Sequence, residues 1–486
     1  MPAGSFYETQ LIILIGCCIF ALLAEQILSR RKKTARDAVD SRLENGGVSN
    51  ANLLGKLTRQ YLFVYAMVMG ADWLQGPYLY SLYREQYQFP ERLVAILFVA
   101  GFSSGALTAP LVGAWADQYG RKKLCLAFCV TYTLTCICII MGPYVPLLFV
   151  GRVLGGISTS ILFSAFESWL ISSAHSAALA DSDLSRIMGR ASLVNGFVAT
   201  GAGVVSNQLV SSTHNFGSPF ALSGAILTLA WFVIAGSWTE NYGSTGTESR
   251  AQSAGIFQLK RLSEAWKIAR QDKVLLVLGL TQTCFEGSMY LFVFLWVPSL
   301  QEATHSIDVL PLGYIFSAFM TSMMLGSLLY SAITSYALPS KSSSTGSNDS
   351  SLSLHAKLSS LVCAVSGLAL AASVSSFDEK VRFWSFCAFE ACVGMYYPVQ
   401  GMLRGTLISN EHRATLSSLF RVPLNIFVVV SLITGVSSAR YAVLSASSVM
   451  LGFSAIMTGL IIVNHADGQL RSRTDRCRKN CADQLL

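Results

Sequence analysis

The chain has 486 residues, of which 52% are hydrophobic and only 13% are charged. Because roughly 25% of the residues of a soluble domain are charged, this composition argues against a soluble protein and indicates a polytopic helical membrane protein. The net charge of +8 does not require a nucleic-acid partner, since membrane proteins concentrate Lys and Arg in cytoplasmic loops. We therefore expect contact with the lipid bilayer and none with nucleic acid.

Several kinds of chemistry have no support in the sequence. Twelve cysteines are scattered along the chain, mostly inside apolar runs, without a CxxC pair or a Cys/His spacing typical of zinc. The sequence predicts buried reduced thiols, no metal site and no cofactor. It also lacks the P-loop pattern of ATP-driven transport and any Cys/His or Ser/His/Asp constellation. No catalytic residues, and no enzyme, are expected.

Apolar runs separated by charges and Gly/Ser turns predict thirteen transmembrane spans. The first, at about 9–28, stands alone and is followed by the basic run Arg30–Lys33, which fits a retained anchor helix better than a signal peptide. The other twelve form two groups of six. The first group lies at about 60–83, 92–116, 123–142, 146–172, 187–211 and 218–238, and the second at about 273–299, 309–334, 356–376, 382–405, 413–436 and 441–464.

These spans divide the chain into six predicted segments. They are an extra N-terminal transmembrane helix (1–28), a basic cytoplasmic linker (29–59), an N-terminal six-helix half (60–238), a cytoplasmic central loop (239–272), a C-terminal six-helix half (273–464) and a basic cytoplasmic tail (465–486). The basic clusters all fall on one side of the membrane, which the positive-inside rule makes cytoplasmic. We expect the N-terminus outside, the C-terminus inside, and the plasma membrane as the default location. The sequence does not indicate an oligomeric state.

The connection between the second and third core spans, Gly113–Lys123, reads GAWADQYGRKK. It resembles the G-x-x-x-D-x-x-G-R-[RK] loop of the major facilitator superfamily, in which two six-helix halves enclose a site near the membrane midplane. The resemblance implies an all-α polytopic membrane protein with the major facilitator fold, a 12-helix core in two six-helix halves plus one extra N-terminal transmembrane helix. It also implies a gating latch, with a basic turn and helix cap as the alternative. The predicted latch residues are Gly113, Asp117, Gly120, Arg121 and Lys122.

Further segments narrow the resemblance to the molybdate-anion transporter family within that superfamily. They are Ala71–Tyr80 (ADWLQGPYLY), Gly151–Gly156 (GRVLGG) with Leu162–Glu167 (LFSAFE), Asp272–Val274 with Phe285–Glu286, Phe292–Trp296 (FVFLW) and Phe420–Leu424 (FRVPL). The family is similar to eukaryotic high-affinity molybdate importers. The resemblance therefore implies a secondary active transporter that imports molybdate by alternating access, with a proton as the candidate coupling ion. The alternatives are a transporter of sulfate or another small anion, and a non-transporting receptor or scaffold.

Arginines within the predicted spans are the first candidates for binding an oxyanion, because a guanidinium group offers several fixed donors. Arg152 lies in the fourth core span, Arg190 in the fifth and Arg421 in the eleventh. The fifth and eleventh spans are symmetry mates in this fold, so Arg190 and Arg421 are expected on opposite walls of one cavity. The alternatives are a structural ion pair for Arg152 and a cation reaching the cytoplasmic surface for Arg190.

Four carboxylates accompany these arginines and are predicted to serve coupling or charge pairing. Asp72 and Glu286 lie on the first and seventh core spans, which line the cavity in this fold, so they are the first candidates for carrying a proton. The alternative is a set of fixed ion pairs. Glu167 lies about 22 Å along the helix from Arg152, at 1.5 Å per residue, so it is expected to serve the cytoplasmic side or the latch.

Glu390 is the predicted partner of Arg152. The run from Glu390 to Gly394 aligns with the run from Arg152 to Gly156 on the mate span, so these two charges are expected to face each other. Polar side chains are expected to complete the binding site, although aromatic residues in membrane helices more often serve packing. The predicted polar residues are Gln75, Tyr397 and Asn425.

Overall fold

The computed structural model describes residues 3–40, 48–242, 266–267, 270–304, 310–337, 347–408, 413–435, 440–468 and 470. Within these ranges the chain is helical and contains no strand. The first eight helices are α1 (Ala3–Asp40), α2 (Val48–Gln75), α3 (Leu79–Ser81), α4 (Glu91–Tyr119), α5 (Arg121–Ile140), α6 (Val145–Ser176), α7 (Asp181–Thr213) and α8 (Ser218–Ser237). They are followed by α9 (Lys273–Ala303), α10 (Leu312–Ala337), α11 (Ser347–Ser375), α12 (Glu379–Leu407), α13 (Arg413–Gly435) and α14 (Arg440–Met457). Two π-helical segments, Leu82–Gln86 and Thr458–Val463, extend α3 and α14.

Where the structure describes them, the predicted spans are largely helical, so the all-α fold class is confirmed. The first core span, predicted at 60–83, is not one continuous helix, because a turn at Gly76–Tyr78 separates α2 from α3. The helices run further than the apolar runs. α1 reaches Asp40 and α2 already begins at Val48, inside the segment predicted as a linker. An apolar run marks only the part of a helix that hydrocarbon can cover, whereas polar residues can continue the same helix in water.

Among the described residues, ten helices are long and apolar enough to cross a membrane. The core helices outside this set are α2, α12 and α13. Each of them carries candidate charges of the sequence analysis: Asp72, Glu390 and Arg421, respectively. Ionisable residues in membrane helices mark substrate and ion pathways more often than lipid-facing surface. These three helices are therefore the first places to look for a site.

The structure divides into two compact units, each described by itself below. Unit 1 comprises Met1–Ser249 and Ser306–Thr321, and unit 2 comprises Arg250–His305 and Ser322–Leu486. In unit 1, α6 packs on α4 and α5, while α2 packs on α7 and α8. In unit 2, α11 packs on α12 and α14, while α9 packs on α13 and α14. The division into six-helix halves at 60–238 and 273–464 stays a prediction.

Close helix crossings that depend on glycine occur in both units. A Cβ at Gly156 of α6 would lie 2.2 Å from the carbonyl oxygen of Gly101 on α4. In unit 2, a Cβ at Gly394 of α12 would lie 1.9 Å from the carbonyl oxygen of Met323 on α10. Small residues at such crossings let the backbones of membrane helices touch. Gly156 and Gly394 therefore occupy equivalent positions inside their own units.

Candidate functional site

Polar and charged side chains of unit 1 meet on α2, α5 and α6. The carboxylate of Asp72 on α2 accepts a hydrogen bond from the hydroxyl group of Tyr132 on α5. Arg152 on α6 lies within electrostatic range of the same tyrosine. Asp72 has no ion-pair partner among the described residues. Asp72 and Arg152 thus lie near the same phenol, and they form no direct ion pair.

The guanidinium group of Arg152 is held against α4. Its Nε donates to the carbonyl oxygen of Leu97 at 3.3 Å, and its Cζ lies 5.2 Å from the centre of the Phe98 ring. A Cβ at Gly101 would lie 2.6 Å from an Nη atom of Arg152. The glycine therefore provides the space in which the half-buried guanidinium lies. Most of its donors remain available to an anion.

The other predicted residue of α2, Gln75, is 7% exposed and engaged with a neighbouring helix. Its Nε2 donates to Ser223 Oγ on α8 at 2.9 Å. Next to it, Trp73 Nε1 donates to Asn195 Oδ1 on α7 at 2.8 Å. Side chains around Asp72 thus tie α2 to its neighbours, and Gln75 has less freedom to bind a substrate than the sequence suggested.

Unit 2 contains a buried carboxylate, Glu286 on α9, with several partners. Tyr396 OH donates to Glu286 Oε1 at 3.3 Å, and Gln282 Nε2 lies 3.4 Å from Oε2. Arg404 on α12 places an Nη atom 3.9 Å from Oε1. The side chains of Arg404 and Glu286 are 22% and 11% exposed. An ion pair this long joins α9 to α12 without the short contacts of a tight bidentate pair.

Two amide oxygens beside this pair are buried and accept no hydrogen bond from a described residue. They are Gln282 Oε1 and Gln400 Oε1. The backbone carbonyl oxygen of Gln400 accepts a hydrogen bond from Arg404 Nε at 3.3 Å. Gln282 contacts Glu286 and Gln400 contacts Arg404, so both glutamines belong to the same cluster. Leaving such an atom unpaired costs about 1–3 kcal/mol. Unpaired buried atoms therefore mark places where water, an ion or a ligand completes the structure.

Glu390 on α12 is 5% exposed and has no hydrogen bond or ion pair with a described residue. It lies four residues before Gly394, just as Arg152 lies four residues before Gly156. Because the two glycines sit at equivalent crossings, the structure supports the alignment of Arg152 with Glu390. These residues belong to different units, so their expected pairing stays a prediction.

The remaining predicted binding residues are less buried or outside the described part of the chain. Tyr397 is 45% exposed and its hydroxyl donates to Met289 Sδ at 3.2 Å. Asn425 on α13 is half-buried. The side chain of Arg421 lies outside the described residues, but the preceding residue, Phe420, packs its ring where a Cβ at Gly279 of α9 would lie. The backbone of α13 at Arg421 is therefore close to α9.

The predicted latch is a tight turn that holds the chain segment after α8. Gly120 joins α4 to α5 with a φ of 103°, which favours glycine. The carboxylate of Glu240 accepts hydrogen bonds from the backbone N–H groups of Lys122 at 2.8 Å and Lys123 at 3.1 Å. The backbone N–H of Arg121 donates to the carbonyl oxygen of Asn241 at 3.0 Å. Glu240 thus caps the N-terminus of α5, where a negative charge is stabilising.

Only the helical backbone of the other two latch residues, Gly113 and Asp117, is described. Two further predicted residues, Arg190 and Glu167, are exposed on their helices. Arg190 is exposed near the start of α7, which favours the surface alternative for this residue. Glu167 is exposed on α6, within electrostatic range of Tyr61 on α2.

Three charged residues that form ion pairs or several hydrogen bonds in the structure were not among the predicted site residues. Arg404 and Glu240 lie at the ends of apolar runs, where charges usually face water. Arg382 is 1% exposed, and its guanidinium donates to the carbonyl oxygens of Ser299, Ser373 and Ser376. The one signal available in advance was that Arg404 follows Glu390 on the same predicted span.

In the described part of the chain, no group of three or more His, Cys, Asp or Glu side chains is placed to hold a metal ion. The chemistry of both clusters is that of carboxylates, guanidinium groups, phenols and amides. Such groups bind anions and exchange protons.

Comparisons with known proteins agree with this picture. A family model described as sugar transporters with 12 transmembrane segments matches residues 44–376, more than half of the chain. A protein named molybdate-anion transporter from Takifugu rubripes is 32% identical over 401 residues, which cover 77% of this chain and 78% of that protein. The protein of the same name from Danio rerio is 30% identical over 496 residues, covering 95% and 96% of the two chains.

Solved structures show the same fold at low identity. The peptide transporter POT in complex with sulfate superposes with a TM-score of 0.63 at 12% identity and covers 87% of this chain and 99% of its own. A variant of the nucleoside transporter NupG gives a TM-score of 0.63 at 10% identity, covering 83% and 99%. Sequence and fold lead to one conclusion: the chain belongs to the molybdate-anion transporter family of the major facilitator superfamily.

Proposed function

We propose that this protein imports molybdate, or a closely related tetrahedral oxyanion, as a proton-coupled secondary active transporter working by alternating access. The names of its relatives support the substrate. The observation that carries the proposal is the contact between Glu286 and Arg404 in unit 2.

The geometry of this contact suits an exchange of partners. An Nη atom of Arg404 lies 3.9 Å from Glu286 Oε1, and the guanidinium is partly exposed. When a proton neutralises Glu286, the attraction is lost and Arg404 becomes free to bind an oxyanion. When the proton leaves, the carboxylate competes for Arg404 again and favours release of the anion. Proton binding and anion binding therefore support each other.

Charge balance explains why two acids would be useful. Moving a dianion against an inside-negative potential of 100 mV costs about 4.6 kcal/mol, at about 2.3 kcal/mol per charge. Two protons carried in the same direction cancel this cost. Our proposed carriers are Glu286 and Glu390, which is buried and has no hydrogen bond or ion pair with a described residue. A permanently charged Glu390 without a partner would cost at least a few kcal/mol at membrane depth.

The charges also bear on the kind of substrate. The matching family model is described as sugar transporters. A neutral sugar, however, does not require a guanidinium group that is left without a carboxylate partner. Arg152 is held by a carbonyl oxygen and an aromatic ring instead of an acid, so it keeps donors for an anion. We propose Arg152, Arg404, Arg421 and Asn425 as substrate-binding residues, with Asp72 as a further acid of the pathway.

The basic segments favour one orientation. With the clusters at 29–59 and 121–123 and in the C-terminal tail on the cytoplasmic side, the N-terminus lies outside. We propose that the protein lies in the plasma membrane and imports the anion from outside the cell.

Uptake of radiolabelled molybdate by cells that express the protein tests this proposal. We expect uptake above that of untransfected cells, partial competition by sulfate, and a loss of at least about tenfold in Arg404→Ala and Arg421→Ala, because a charge-assisted hydrogen bond contributes about 1.5–3 kcal/mol. Arg92→Ala, which removes an exposed arginine at the start of α4, serves as the matched control. Wild-type uptake no higher than background, at equal surface expression, would exclude a molybdate importer.

A further inference from the structure

We propose that a cleft between the N-terminal parts of α2 and α7 binds the phosphate group of an anionic phospholipid. The cleft has a volume of about 150 Å³, several times the roughly 30 Å³ that one water molecule occupies in the liquid. Gly55 and Thr58 line it from α2, and Asp183, Arg186 and Arg190 line it from α7. This proposal is independent of the transport site.

The cleft carries positive charge that the described residues neutralise only in part. Arg190 is exposed and forms no hydrogen bond or ion pair with a described residue. Arg186 pairs with Asp183 only through a 3.6 Å contact, and its side chain is 59% exposed. Lys56 and Arg59 are exposed on the same end of α2. A phosphate diester or monoester supplies the oxygen acceptors that these donors lack.

The wall formed by α2 is open at Gly55. A Cβ added to this residue would have no atom within 4 Å, so the space beside it is free. Thr58 next to it is buried and donates its hydroxyl hydrogen to the carbonyl oxygen of Leu54 at 2.7 Å. A ligand can therefore approach the α2 backbone closely between the two arginines of α7 and the Thr58 turn.

Exposed apolar side chains follow the two arginines along α7. This order favours a lipid as the ligand instead of a free anion. Arg186, Arg190, Leu193 and Phe197 follow at spacings of four, three and four residues, which places them on one face of α7. Leu193 is 41% exposed and Phe197 is 52% exposed. Phe197 lies about 10 Å along the helix from Arg190, at 1.5 Å per residue. A phospholipid matches this order, with its phosphate at the arginines and its acyl chains along the apolar residues.

The location fits the same ligand. The cleft lies at the end of α2 that follows the basic linker, which is the cytoplasmic end in the orientation proposed above. Anionic lipids are concentrated in the cytoplasmic leaflet, and basic pockets between membrane helices on that side bind their head groups.

Binding of dioctanoyl phosphatidic acid to the purified full-length protein in detergent tests the proposal, read by native mass spectrometry and by thermal shift. We expect this lipid to bind at least about tenfold more tightly than dioctanoyl phosphatidylcholine, because two guanidinium groups meet its phosphate without competition from a choline cation. The double variant Arg186→Gln/Arg190→Gln and the cleft-filling variant Gly55→Phe should each weaken binding about tenfold, since each removes one half of the same site. Arg92→Gln/Lys273→Gln removes two exposed cations elsewhere and should stay within about twofold.

A separate arm distinguishes lipid from free oxyanion. Inorganic phosphate should bind at least tenfold more weakly than phosphatidic acid, and Phe197→Ser should weaken only the lipid. Equal affinity of inorganic phosphate, with the same dependence on Arg186 and Arg190, would overturn the lipid in favour of a free anion. Equal phosphatidic acid binding by wild type and the double variant would overturn the site itself.

Discussion

A single glycine determines where the guanidinium group of Arg152 can lie. Gly101 leaves room for the Arg152 side chain against Phe98 and the carbonyl oxygen of Leu97. The nearest atoms to a Cβ at this position belong to the end of that flexible side chain. A methyl group there would push the guanidinium away without disturbing the backbone, so the glycine and the arginine act as one feature.

The variant Gly101→Ala should therefore fold normally and bind molybdate less well. We expect the apparent KM for uptake to rise by at least about tenfold, because a charge-assisted hydrogen bond contributes about 1.5–3 kcal/mol. Gly201→Ala is the matched control, because its Cβ would meet no atom within 4 Å. Concentration-dependent uptake measures both. An unchanged KM in Gly101→Ala would remove Arg152 from the binding site.

At the scale of helices, the turn between α4 and α5 anchors the segment that follows α8. Glu240 caps α5 through two backbone N–H groups, and a Cβ at Gly120 would lie 2.6 Å from the carboxyl carbon of Glu240. The predicted latch loop is thus part of a contact inside unit 1. Its glycine is needed both for the positive φ and for the approach of the carboxylate.

Removing this cap should lower stability. We expect Glu240→Ala to reduce the free energy of unfolding by about 1–2 kcal/mol, the usual size of a lost helix cap, and Gly120→Ala to reduce it at least as much. Glu8→Ala, which removes an exposed acid on α1, should have little effect. Thermal unfolding in detergent compares the three. Equal melting temperatures for Glu240→Ala and the control would show that the capping contact contributes nothing.

The sequence predicted the helices well and the side-chain contacts poorly, for a physical reason. Apolar runs of about 20 residues are dictated by the thickness of the bilayer, so they appear in the sequence itself. The partner of Glu286 is Arg404, on a helix more than 100 residues away, and that choice depends on how α9 and α12 pack. Charges near helix ends, such as Arg404 and Glu240, look like ordinary surface residues until the packing is known.

For the whole molecule, we propose an internal repeat with an exchanged charge, on the basis of the close helix crossings at Gly156 in unit 1 and Gly394 in unit 2. One unit has Arg152 four residues before its glycine and the other has Glu390. A repeat with opposite charges can bind an anion through one copy and a proton through the other. Together with Glu286 and Arg404, this asymmetry is the basis of the proposed coupling between anion and proton.

Molybdate uptake into proteoliposomes driven by an imposed pH gradient tests this coupling most directly. With the outside acidic, we expect wild-type protein to accumulate radiolabelled molybdate above its external concentration. Glu286→Gln should lose gradient-driven accumulation but keep exchange of labelled for unlabelled molybdate, because the neutral amide mimics the protonated acid. Equal uptake with and without the gradient in wild type, or full gradient-driven accumulation in Glu286→Gln, would contradict the account.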